Sequence, residues 1–85
     1  MATLQIYALR DIRTDAYMRP IFLQNQSVLE RSLYDALSDE NSLLSSHPED
    51  YQVYKLGSFD EQTGKISPIA PEHLFNVINL KGEPK

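Results

Sequence analysis

Eighty-five residues leave room for one hydrophobic core, so the chain reads as a single domain, 1–85, with 81–85 as a frayed tail. It has no cysteine, which excludes disulfides and thiolate metal sites and fits a reducing compartment. Twelve acidic against eight basic side chains give a net charge of −4, which argues against coating nucleic acid through a broad basic field but leaves a local patch open.

The first segment, MATLQIYALRD, carries no preceding positive charge and no small-residue cleavage site, so it is expected to be a strand and not a signal peptide. Over residues 3–10, Leu4, Ile6 and Ala8 share one face and Gln5, Tyr7 and Leu9 the other. Both faces are partly apolar, the pattern of a central strand or of an edge covered by a partner. Residues 11–17 have the mixed polarity of a loop or a single helical turn. Pro20 then leads into Ile21-Phe22-Leu23, either a second short strand or chain packed over the core. The spacing predicts the main helix over 28–39. Ser27 and Glu30 form a capping box ahead of it, with Leu29, Leu33, Ala36 and Leu37 on one face and Ser32, Asp35, Ser38 and Asp39 toward water.

Residues 39–50, rich in acids and serine, are expected to form a surface loop pinned by Leu43, Leu44 or both and closed by His47-Pro48. After it YQVYKLGSFD reads as a strand with neither face cleanly apolar, and a bulge at Gly57 would shift its register. Asp60-Glu61-Gln62-Thr63-Gly64 supplies turn residues, with Gly64 suited to positive φ. Lys65-Ile66-Ser67 begins the return strand, and Pro68 ends its hydrogen bonding or places it at an edge. Ala70-Pro71-Glu72-His73 can start a helical turn, since proline suits the first helical position and Glu72 the positive end. Phe75, Val77, Ile78 and Leu80 fit a helix or a last strand, so residues 72–80 stay open. The sum is an α+β domain: a small, mostly antiparallel sheet with one main helix packed across it and a C-terminal hairpin region. No segment approaches the roughly 20 apolar residues that cross a bilayer, so no membrane partner is expected.

Catalytic patterns are sparse. His47 and His73 stand far apart in sequence, and no third or fourth ligand has recognisable metal spacing. The acid pairs Asp39-Glu40, Glu49-Asp50 and Asp60-Glu61 sit in turns, where carboxylates are solvated and not held across a cleft. No serine lies in a nucleophile elbow, and the three glycines make no phosphate loop. No enzyme activity, metal or cofactor is expected.

Binding carries more weight. Arg10, Arg13 and Arg19 lie within ten residues of one another, and Arg31 follows on the helix. Tyr7, Tyr17, Tyr51 and Tyr54 are available to stack. Arginine with tyrosine suits a platform for single-stranded nucleic acid, and equally the core of a protein interface. Both stand against the bland alternative of half-buried tyrosines and arginines paired with Asp11, Asp15 and Asp35.

LQIYALRD at the N-terminal strand, AYMRPIF at 16–22, the leucine-rich helix, HPEDY at 47–51 and LGSFDEQTGKI at 56–66 together carry a likeness. On these residues the chain resembles the small nonstructural protein of gokushovirus-type single-stranded-DNA bacteriophages, often labelled a DNA-binding protein. The resemblance implies a phage protein in the host bacterial cytoplasm that assists genome replication or packaging. Its expected partners are single- or double-stranded DNA, phage or host replication or assembly proteins, and a further copy of itself as a homo-oligomer. His47, Asp50, Phe59 and Asp60 match the recurrent pattern and, with Gly64, are read as corner, turn and anchor residues. The working surface is then expected around Tyr7, Arg10, Arg13, Tyr17, Arg19 and Arg31.

Overall fold

The computed structural model describes residues 3–80, so the tail expected at 81–85 lies outside the described residues. Its centre is the strand β1 (Thr3–Asp11), as the two partly apolar faces of that segment suggest. Along one edge β1 pairs antiparallel with β4 (Tyr51–Asp60) over the whole length of both. Its other edge is shared by two short strands, β2 (Ala16–Tyr17) near Asp11 and β3 (Ile21–Leu23) near Gln5. β5 (Ile66–Asn76) pairs antiparallel with β4 and closes the sheet in the order β2-β1-β4-β5.

Residues 11–17 are therefore a tight turn into a strand and not a helical turn. Asp15 takes a left-handed φ of 58°, which its short side chain tolerates, and the Asp11 carboxylate accepts the Arg13 amide at 2.9 Å. The Met18 amide then donates to the Leu9 carbonyl at 2.7 Å, holding the returning chain to β1.

The helix α1 (Gln26–Ser38) begins two residues earlier than its capping box predicts. Asn25, in extended conformation, is the cap: its Oδ1 accepts the Val28 amide at 3.0 Å. Ser27 falls inside the first turn, and Glu30 instead accepts from the Gln26 side chain at 3.0 Å. The apolar face is as expected, with Leu29 and Leu33 buried against the sheet.

After α1 the expected loop contains a one-turn helix, α2 (Leu43–Ser46), because the Ser42 hydroxyl caps the Ser45 amide at 3.0 Å and also donates to the Ala36 carbonyl at 2.6 Å. Only Leu44 pins it; Leu43 is exposed. A 3₁₀ turn, Pro48–Asp50, with Pro48 buried, then delivers the chain to β4.

The β4–β5 hairpin forms as read, but β5 runs straight through Pro68 and Pro71, where a helical turn had been expected after Ala70. The edge position explains this, since a proline there removes a donor that no further strand requires. Residues 69–71 stand between Pro68, opposite Gly57, and Glu72, opposite Lys55, so the second proline sits in an irregular stretch of the ladder. β5 ends at Asn76, and a 3₁₀ turn, Val77–Leu80, folds fully buried Val77 back into the core. That settles residues 72–80 as strand followed by 3₁₀ turn.

The expected bulge is present. Ile6 faces Gly57 and Tyr7 faces Lys55, which leaves Leu56 unmatched on β4. Gly57 has φ +154°, and a Cβ there would run into the Ser67 carbonyl oxygen and lie 3.0 Å from Pro68 Cα. Tyr7, Leu29, Leu33, Tyr51, Val53 and Val77 form the main core between α1 and one face of the sheet. The result is the α+β architecture read from the sequence, measuring 39 × 28 × 19 Å.

Candidate functional site

Helix α1 covers one face of the sheet and, among the described residues, no helix covers the other, so the candidate working surface of the sheet is that second face. Val53 points toward α1, and its neighbours Gln52 and Tyr54 therefore point away. Strand register then assembles the open face row by row. Tyr17, Arg10, Gln52 and Asn76 form one row across β2, β1, β4 and β5. Ala8, Tyr54 and His73 form the next. Beyond the bulge, Phe22 stands opposite Ile6, and Phe59 lies between Leu4 and Ile66.

Two aromatic groups result. At the end near Asp11, Tyr54 takes Tyr17 on one side and His73 on the other, each an edge-to-face contact with centroids 5.4 Å apart. Toward the far end Phe22 and Phe59 meet edge to face at 5.6 Å, straddling β1. Ile6 and Ala8 are buried beneath these rings, while Tyr17, Phe22 and Ile66 are 45%, 41% and 54% exposed.

The polar groups of this face satisfy one another. Arg10 pairs with the Asp15 carboxylate and donates from Nη1 to Gln52 Oε1 at 3.4 Å. The Tyr54 hydroxyl reaches the same Gln52 oxygen at 3.4 Å, and His73 Nε2 pairs with Asn76 Oδ1 at 2.8 Å. The charge of Arg10 is thus spent within the protein.

The N-terminal patch expected from sequence is only partly assembled. Tyr7 is a correction: it is 3% exposed and packs under α1, where it cannot stack on a ligand. Burial raises the pKa of its hydroxyl, and that of Tyr51, which Asp11 and Asp50 raise further. Arg13 is exposed, with Nη1 4.0 Å from Asp50 Oδ1. Arg19 is exposed in the link between β2 and β3, two residues past Tyr17. Arg31 is exposed on α1, across the thickness of the sheet from that face.

The corner and turn residues act through the backbone. Asp60 Oδ1 accepts the Gln62 amide at 2.9 Å and the Thr63 amide at 3.4 Å, and its carbonyl accepts the Gly64 amide at 2.8 Å. Gly64 has φ +77°. The Asp50 carbonyl accepts the Ile12 amide at 2.9 Å, tying the corner to the end of β1, and its own amide donates to the His47 carbonyl at 3.1 Å. His47, Glu49 and Asp50 bring one ligand atom each within 4.8 Å of one another at this exposed corner. Donors sharing a tetrahedral zinc ion stand about 3.4 Å apart, and Asp50 here also faces Arg13.

Sequence reading missed Phe22, Ile66 and His73 as members of one surface. The available signal was the outward set Leu4, Ile6 and Ala8, apolar where a solvated face would be polar.

The model of the phage ORF5 protein family matches residues 4–80, which spans nearly all of the described fold from β1 to the last 3₁₀ turn. The chain belongs to the phage ORF5 protein family. The resemblance carried by LQIYALRD, AYMRPIF and HPEDY agrees with the family at the level of a bacteriophage protein. No curated protein and no solved structure matches it. Among the described residues, no helix is long and apolar enough to cross a membrane.

Proposed function

We propose that this phage ORF5 family protein is a non-enzymatic accessory factor that works in the host cytoplasm by docking protein on its uncovered sheet face during genome replication or packaging. One observation carries the reading. The outward positions of β3, β4 and β5 present Phe22, Phe59, Tyr54 and Ile66 over buried Ile6 of β1, where a water-facing antiparallel sheet would present polar side chains. The polar groups among them are already paired, so burial under a protein leaves few of them stranded.

A second reading, DNA binding, is favoured by the row Tyr17, Tyr54 and His73 with exposed Arg13 and Arg19 close to Tyr17 in the chain. Four arginines on phosphates would give a log-affinity slope with log salt of about −3. With Arg10 paired to Asp15 and Arg31 across the sheet, two remain and the slope falls to about −1.5, a weak hold at physiological salt. Fluorescence anisotropy with labelled single- and double-stranded oligonucleotides, from low to physiological salt, separates the two. Flat titrations are expected under the protein-docking reading. Saturable binding that weakens with salt and is abolished by replacing Arg10, Arg13 and Arg19 together with glutamine would make DNA the partner instead.

A further inference from the structure

We infer that the occupant of the open face is a second copy of this chain, packed sheet against sheet about a two-fold axis. The inference rests on reading that face as a protein-docking surface and adds the partner. Size is the first argument. Three strands of nine to eleven residues, with two short ones sharing a fourth position, spaced about 4.8 Å apart and rising about 3.3 Å per residue, present a footprint of roughly 550 Å². Two such faces bury on the order of 1,100 Å², above the roughly 1,000 Å² that a specific interface needs.

Shape and charge point the same way. A pleated face of this extent is matched by another pleated face about 10 Å away, as in aligned sandwiches. A net charge of −4 would oppose self-association if the acids lay on this face. Asp15 lies at this face but pairs with Arg10, while Glu30, Asp35 and Asp39 lie on or beside α1 across the sheet and Asp60 and Glu61 are at the hairpin turn. The one ion pair on the face, Arg10 with Asp15, is internally neutral. A copy related by two-fold symmetry therefore brings apolar surface to apolar surface without opposing like charges.

Edge-to-edge pairing is the competing way for two copies to meet, and the fold blunts both edges. β5 carries Pro68 and Pro71, and the opposite edge is broken into strands of two and three residues around Pro20. The face is left as the surface on which two sheets can join.

Sedimentation velocity of the full chain, from micromolar to near-millimolar, tests this together with two face variants and one control. The wild type is expected to move from 9.7 kDa toward twice that mass as concentration rises. Ile66→Lys, at a 54% exposed position, and Phe22→Glu should each weaken the dimer at least tenfold, while Leu43→Lys, on α2, should not. Should Phe22→Glu fail to fold, Ile66→Lys keeps the test. A wild-type chain that stays monomeric, or a dimer that persists in both face variants, overturns the inference. Binding of the apolar dye anilinonaphthalene sulfonate to the wild type at the lowest concentration then judges the underlying reading. A monomer that binds the dye and loses it on Ile66→Lys keeps a docking face but not this partner. A monomer that binds no dye loses both.

Discussion

Replacing Gly57 by alanine tests the bulge on which the register of the sheet depends. The backbone there has φ +154°, a region that L side chains occupy at a cost of about 1–3 kcal/mol. The added methyl also meets the Ser67 carbonyl and Pro68 Cα, which are backbone and cannot rotate away. Relief requires β5 to shift, and that loosens the Ser58–Ser67 and Gly57–Pro68 pairs beside it. The two effects together amount to about 3 kcal/mol, out of a total stability of about 4–13 kcal/mol for a chain this size. With a urea m-value of about 1 kcal/mol/M, the unfolding midpoint should fall by about 3 M. Gly64→Ala is the internal contrast: φ is +77° there but nothing lies within 4 Å of a Cβ, so the dihedral strain of about 1 kcal/mol acts alone. Urea unfolding followed by far-ultraviolet circular dichroism measures both. Equal midpoints for the two variants would refute the steric argument, and with it the close approach of β5 to the bulge.

Asn25→Ala should destabilise the protein by about 1 kcal/mol and Ser27→Ala by only a few tenths, as thermal unfolding would report; the reverse order would return the cap to Ser27. Tyr7 and Tyr51 have raised hydroxyl pKa values in the folded chain, so the unfolded chain loses those protons more readily. Their contribution to stability is whole below about pH 10 and declines as pH rises through the folded values. Tyrosinate absorbance should show Tyr7 and Tyr51 ionising together with unfolding, whereas their ionisation near pH 10 in the still-folded chain would contradict the burial.

Much of the fold was legible because its signals are local. Leu29 and Leu33 repeat at helical spacing, and the run Tyr51–Asp60 is rich in β-formers and ends at a turn that Asp60 and Gly64 specify. What was misread depends on neighbours distant in sequence. Pro71 resembles a helix start unless β5 is known to be an edge, and Ala16–Tyr17 is a strand only because β1 lies beside it. Asn25 and Ser27 are both sound caps by chemistry, and tertiary placement of the helix chose the first. The candidate surface suffered most. Tyr7 was grouped with the arginines by proximity in sequence, yet strand parity turns it to the side opposite Arg10. Leu56, unmatched at the bulge, hid the parity of β4 and with it the alignment of Phe59 and Tyr54 on one face.

The central place of β1 also sets a timetable. β1 is synthesised before its principal partner, β4, which is made only after α1, α2 and the connecting corner. During that interval β1 is a long apolar strand with both edges at risk of pairing with other chains. The two short strands that follow it immediately need no distant partner and can fold back on one edge at once, with the Met18 amide already held by Leu9. β2 and β3 contribute little area to the finished sheet. Their value lies in sparing one of β1's two hydrogen-bonding edges from waiting, unpaired, for the rest of the chain.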